Sequence, residues 1–228
     1  MRSKRINNKI DYGTLCLSNQ SFSDYIFEAC GLSLKLDKRS VFDDCAFERI
    51  RVRKCSVGFP IFKHCRFENV IADRSGLLVY GAGFSECIFT GQLQNVVIGL
   101  MAEAVFADKP RAREFQNENM KLAKASKFAI DLTNATLENV GVCGDAIIPY
   151  VRCRRNQAVV LKADNLFEKL VKLGRAEENR AKSDFFLATG ALPGSHVTIA
   201  PIDKAIIEFL PELEDKLRQS GIEITHFA

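Results

Sequence analysis

The chain has 228 residues, 47% of them hydrophobic and 26% charged, with a formal net charge of +4; that suits a soluble protein of one large or two small domains and is too mildly basic for a dedicated nucleic-acid binder. No apolar run approaches the ~18 residues of a membrane-spanning helix. The start, MRSKRINNKIDYG, has charges but no apolar stretch after them, so no secretory signal and a cytosolic location are expected.

From Tyr12 onward the chain carries a period of five. The column Tyr12, Leu17, Phe22, Phe27, Leu32, Asp37, Phe42, Phe47, Val52, Val57, Phe62, Phe67, Ala72 is broken only by Asp37. The column two residues earlier is mixed and captures Cys30, Cys45, Cys55 and Cys65. The residue after the first column is never apolar. A helix would repeat near ~3.6 residues and a strand would alternate by two without resetting. A reset every five residues fits short extended segments joined by tight corners, each sending one pair of residues two apart to the same side. Four segments make 20 residues, which sets Phe62 over Phe42 and Cys65 over Cys45. Around Lys35 and Asp37 the pattern is irregular, and Leu34 and Leu36 are the alternative inward pair. Phe84 and Phe89 resume 22 residues after Phe62 and Phe67, so two residues are inserted within 69–83, expected near Gly81 and Gly83.

Segments such as CAFER (45–49), CRFEN (65–69), CIFTG (87–91) and ATLEN (135–139) carry a small residue followed two positions on by Phe or Leu. In this the chain resembles the pentapeptide-repeat family, as a degenerate member. The resemblance implies a mainly β fold, a right-handed quadrilateral β-helix, over residues ~10–100 and again near 128–149. Compact, readily buried cysteine suits the small inward position, so the cysteines are expected in the core. With no C-x-x-C pair and only His64, His196 and His226, scattered along the chain, no metal or other cofactor is expected.

The five-step columns lapse over 101–127, where KPRAREFQNENMKLAKASKF begins with Pro110 and is rich in helix formers. A helical excursion covering the side or end of the repeat is expected there. Columns return as Leu132, Leu137 and Val142, with Ile130, Ala135 and Val140 two before each. The repeat domain is therefore assigned to residues 1–149 and an α/β C-terminal cap or small domain to 150–228. In the latter, AVVLKA (158–163), HVTIA (196–200) and IEITHF (222–227) read as strands. DNLFEKLVKLG (164–174) reads as a helix with Asp164 at its N-cap. Ile202 to Leu217 keep helical spacing, with Pro211 expected to kink or split the run and Gly221 to stop it. A repeat array needs a cap, because its last turn exposes apolar surface and strand edges.

Signals for catalysis are thin. Neither GAGFSE (81–86) nor ATGALPGSH (188–196) completes a phosphate-binding pattern, and Ser195–His196 has no third partner in the sequence. Asp43 and Asp44 fall on outward positions. The chain is expected not to be an enzyme. The outer positions hold a cationic strip, Arg49, Arg51, Arg53 and Lys54, which is the candidate surface for an acidic partner. Lys63 and His64 fall over Asp43 and Asp44 and read as ladder pairing instead.

The expected function is a non-catalytic protein–protein interaction protein of a bacterial cytoplasm, with self-association compatible. An immunity-type or toxin-neutralising version rests on analogy of fold alone. Two alternatives are a nucleic-acid- or topoisomerase-related binder and an enzyme with its site in the C-terminal module. Some pentapeptide-repeat proteins act on topoisomerases by resembling DNA, which requires an acidic surface, and this chain is net basic. Direct nucleic-acid binding lacks aromatic residues interleaved with the basic strip.

Overall fold

Tight corners recur at five-residue intervals along much of the repeat. Asn19, Asp24, Ala29, Asp44, Arg49, Lys54, His64 and Asn69 all adopt left-handed backbone, with φ between +49° and +63°. Asn and Asp tolerate that region best, which suits their frequency here. Between corners the chain is extended, so Cys45 and Phe47, two apart, lie on one side.

In the computed structural model, residues 4–7, 10–11, 14–34, 39–99, 109–144, 147–187, 196–202 and 206–227 are described. The fold is mostly β, with a large mixed sheet, predominantly parallel, and a few helices. Successive passes of the chain pair in four parallel ladders. The first joins Cys16–Ser18, Val41–Asp43, Ile61–Lys63 and Gly83–Ser85 as a four-stranded sheet. The second joins Ser21–Ser23 to residues 46–48, 66–68 and 88–90. The third runs from Lys4–Asn7 and Tyr25–Glu28 through 51–53, 70–72 and 93–94 to 137–138. The fourth runs from Ile10–Asp11 and Gly31–Leu32 through Ser56–Val57 and Leu77–Tyr80 to 96–99 and 140–143.

As the columns require, Phe62 faces Phe42 and Phe67 faces Phe47, each 20 residues apart. Their rings stack at 5.2 and 5.0 Å between centroids, and the stacks extend to Phe84 and Phe89 at 5.5 and 4.6 Å. Cys45, Cys65 and Cys87 are at most 1% exposed beside them.

Three of the departures from a step of 20 bear on the sequence columns. Leu17 faces Phe42 and Leu32 faces Val57, a step of 25. The Phe59 N–H donates to Ser33 O and the Ile61 N–H to Ser40 O, so two steps along the later pass span seven along the earlier one. Five extra residues therefore fall between Ser33 and Ser40 in the register, and the Ser40 N–H donates to Ser33 Oγ. Of the alternative inward pair, Leu34 is half-buried, while Leu36 and Asp37 lie outside the described residues. At the start Leu32 faces Asp11, one residue before Tyr12, which is also outside the described residues.

The third departure corrects an expectation. Ala72 still faces Val52 at a step of 20, whereas Leu78 faces Ser56 at 22. The two extra residues thus sit after Ala72 and not at Gly81–Gly83. Asp73 turns the chain there: its Oδ1 accepts from the Ser75 N–H and its carbonyl from the Gly76 N–H, and Gly76 takes φ +76°.

Helix α1, Lys109–Ala125, docks against the side of the ladders, where Phe59 and Tyr80 meet Ala112 and Phe115. Residues 130–143 then rejoin the ladders, with Ile130, Leu132, Ala135, Leu137, Val140 and Val142 all buried as their columns require. Beyond them, Val197–Pro201 pairs antiparallel with Val142 and Cys143 and with Ala158–Lys162, which pairs antiparallel with Glu223–His226. The helices α2 (Leu166–Ala176), α3 (Arg180–Leu187) and α4 (Leu210–Gln219) share a second core with this sheet, built on Leu161, Leu170, Phe186 and Leu213. Asn165, not Asp164, is the N-cap of α2. Pro211 falls in the first turn of α4, where its missing N–H has no helical partner to lose, so it starts the helix instead of kinking it. No described helix is long and apolar enough to cross a membrane.

Candidate functional site

The four residues of the cationic strip do not have one environment. Arg49 and Lys54 occupy left-handed corners, while Arg51 and Arg53 project from the strand between them, on either side of buried Val52. Arg49 is engaged: its Nε and Nη2 donate to Asp24 Oδ1 and Oδ2 at 2.7 and 2.9 Å, and Glu48 lies 3.6 Å from Nη1. The hydrogen bond from Arg49 holds the Asp24 carboxyl below its usual pKa. Asp24 lies 25 residues earlier, one ladder step across the five-residue insertion, so a search at a step of 20 does not reach it.

Arg51, Arg53 and Lys54 are exposed, and none of their side chains forms an ion pair or hydrogen bond with another described residue. Arg53 follows Glu28 in its ladder row and contributes to the low pKa of Asp73, which hydrogen bonds from Ser75 chiefly set. Arg51 has apolar neighbours instead. Its row reads Arg5, Ile26, Arg51, Ile71, Gln94, Glu138 from first pass to last. Ile26 and Ile71 are half-buried on the outer side. Those two isoleucines sit one residue before the inward column, a position the five-step columns leave unread.

The remaining sequence candidates are absorbed structurally or lie apart. His64 Nδ1 is 2.9 Å from Asp43 Oδ1, so its side-chain partner is Asp43 although Asp44 is the residue beneath it in sequence step. Gly81 and Gly83 serve the docking of α1: Gly81 O accepts from Asn119 Nδ2, and a Cβ on Gly83 would meet Asn119 Oδ1 at 2.6 Å. His196 lies 3.9 Å from Asp164, and Ser195 lies outside the described residues.

The inward cysteines donate to the preceding pass: Cys65 Sγ to Phe42 O and Cys87 Sγ to Phe62 O, both at 3.4 Å. Burial pushes the Cys45 and Cys87 thiols up in pKa, against the thiolate that metal binding or disulfide exchange needs. Burial also pushes the half-buried Cys153 up to about 12. Among the described residues no three His, Cys, Asp or Glu side chains are grouped to hold a metal. With a thiol-reactive disulfide dye, only exposed Cys16 is expected to react rapidly in the native protein, and all eight cysteines after denaturation. Rapid labelling of Cys65 or Cys87, located by peptide mapping, would contradict this packing.

No family model matches the chain, and no curated protein matches it either. Function must therefore be argued from surfaces and cavities.

One cavity stands out. It measures about 760 Å³ and lies between the ladders, reaching from Ile6 and Leu15 at the N-terminal end to Leu93 and Ile98. Its shape follows from the columns. The first and second ladders place phenylalanine inward on successive passes, whereas the third and fourth place Val52, Ala72, Val57 and Val79 there. The smaller side chains leave a slot running through successive passes.

Proposed function

We propose that the four ladders form a right-handed quadrilateral β-helix of the pentapeptide-repeat type, closed at its C-terminal end by the α/β unit. We further propose that it is a non-catalytic scaffold binding an acidic protein partner through Arg51, Arg53 and Lys54. The left-handed corners at five-residue intervals and the in-register inward columns support the first reading. The observation that carries the second is Arg51, exposed and unpaired among described residues, set between the half-buried Ile26 and Ile71. Arginine beside apolar groups on a preorganised sheet is a composition typical of binding hot spots. Arg49, already neutralised by Asp24, belongs to the frame of this surface. Nucleic acid fits it less well, since isoleucine offers bases no stacking platform.

The test is affinity purification from cells carrying the natural gene, comparing the wild type with an R51E/K54E double variant. A stoichiometric acidic protein is expected with the wild type, released at about 1 M salt, where the screening length falls to ~3 Å. The variant is expected to lose that protein while melting like the wild type. A partner retained equally by both proteins, or no stoichiometric partner, would overturn the assignment.

A further inference from the structure

We infer that the cavity between the ladders is a binding site for one long-chain fatty acid, with its alkyl chain inside and its carboxylate at the N-terminal mouth. The lining is almost wholly apolar, represented by Leu15, Phe27, Val52, Val79 and Ile98, with Ser56 the only hydroxyl among the described residues. Among the described residues no charged side chain lines it. Ordered water needs polar partners that such walls do not offer.

Exposure gives the cavity a direction. Ile6, Leu15, Phe27 and Cys30 on the first passes are half-buried, while Leu93, Val96 and Ile98 on the last are at most 2% exposed. Among the described residues the slot is therefore more open toward the N-terminal passes than toward the pass of Leu93, Val96 and Ile98. From Ile6 through Phe27, Val52 and Ala72 to the pass of Leu93 there are four ladder steps, about 19 Å at ~4.8 Å each. An unbranched chain of about 14–16 carbons has that length, each C–C bond of ~1.5 Å advancing it a little over 1 Å. A slot that is long, narrow and walled by aliphatic side chains suits an alkyl chain better than a ring system.

The charge at the mouth selects the head group. Lys4 shares a ladder row with Tyr25, and its Nζ lies 5.3 Å from the ring centroid at the same end of the slot. Lys4 is thus the cation placed to meet a carboxylate leaving the slot. Arg51, Arg53 and Lys54 are on the outer side, so this site is separate from the partner surface.

The experiment is displacement of a fluorescent fatty acid by palmitate from the purified full chain, with K4E and V79F variants. Saturable binding of one palmitate per chain is expected, weakened about tenfold or more by V79F, whose ring enters the slot. K4E, on the exposed rim, is expected to weaken palmitate but not the uncharged hexadecanol. Absence of saturable palmitate binding, or unchanged affinity in a V79F protein that still melts cooperatively, would overturn the proposal. Should V79F fail to fold, K4E decides: equal loss for acid and alcohol, or loss for neither, goes against it. Phosphatidylcholine vesicles separate a free fatty acid from membrane lipid as the source of the chain. Co-sedimentation with vesicles in place of palmitate saturation would overturn the assignment too.

Discussion

Replacing Arg39 by methionine is expected to destabilise the protein by about 3 kcal/mol, because one guanidinium holds α1 to the ladders. Its side chain is 7% exposed. Nε donates to Phe59 O at 2.8 Å, and Nη2 to Asn119 Oδ1, Gly81 O and Pro60 O at 2.6, 3.2 and 3.3 Å. Nη1 reaches Glu118 at 3.1 Å, and the guanidinium lies 4.8 Å from the Phe115 ring centroid. Burial lowers the pKa of Arg39 and Glu118 opposes that shift, yet an arginine stays charged. Methionine fills much of the volume but removes the donor that Arg39 supplies to Phe59 O, Asn119 Oδ1 and Gly81 O. For a chain of this size the loss corresponds to a fall in melting temperature of roughly 6–12 °C. Lysine is expected to rescue little, since one ammonium cannot reproduce a planar fork that serves carbonyls from several segments. Hydrogen exchange across residues 109–125 should rise together with the melting change. A melting temperature within about 2 °C of wild type, or no added exchange in α1, would show that Phe59 and Phe115 suffice.

That latch also marks where the sequence could not be read. The columns place the core because burial alternates with backbone geometry: the residues one and three after a left-handed corner point inward, as Ile50 and Val52 do after Arg49. Phe42, Cys45, Phe62 and Cys65 were legible on that ground, as were Ile130 to Val142 after the helical interruption. Phe59 lies off the columns and is nevertheless fully buried, because α1 covers it. Nothing local distinguishes an outward phenylalanine awaiting a helix from an exposed one. Arg39 and Asn119 are 80 residues apart and meet only once α1 is docked. The five extra residues between Ser33 and Ser40 escaped for a different reason. An insertion of five keeps a five-residue column in phase, so Asp37 was its only trace, and the step of 25 stayed hidden. That concealed step separated Arg49 from Asp24 and made all four cations look alike. The cavity, by contrast, is implicit in the columns, since the change from Phe to Val and Ala is visible; its volume depends on how four ladders are spaced.

Phe62→Ala is the second large effect, expected to cost about 3–5 kcal/mol. Phe62 is 6% exposed and is surrounded by Phe42, Phe84, Phe67 and Phe47 at 5.2, 5.5, 5.3 and 6.2 Å. Hydrogen-bonded ladders on every side fix the spacing of the passes, so the surroundings cannot collapse into the space, which puts the cost at the upper end. Phe22, half-buried at the N-terminal end and stacked at 5.2 Å on Phe47 alone among the second-ladder rings, is expected to cost about 1–2 kcal/mol when truncated. The ordering is as informative as either value. A dense phenylalanine stack with a single open end makes the loss grow with distance from that end, and chemical denaturation of both variants measures it. Coupling gives a second reading: Phe62→Ala and Phe84→Ala remove the same contact, so the double variant should lose less than the sum of the singles by about 0.5–3 kcal/mol. Equal costs at Phe22 and Phe62, or strict additivity of Phe62 with Phe84, would mean that the stack is not one cooperative unit. Phe62 also lines the cavity, so the shortened side chain widens the slot without touching its mouth. The folded F62A protein should therefore keep its palmitate site, separating the packing role of the phenylalanine column from the binding role of the valine side.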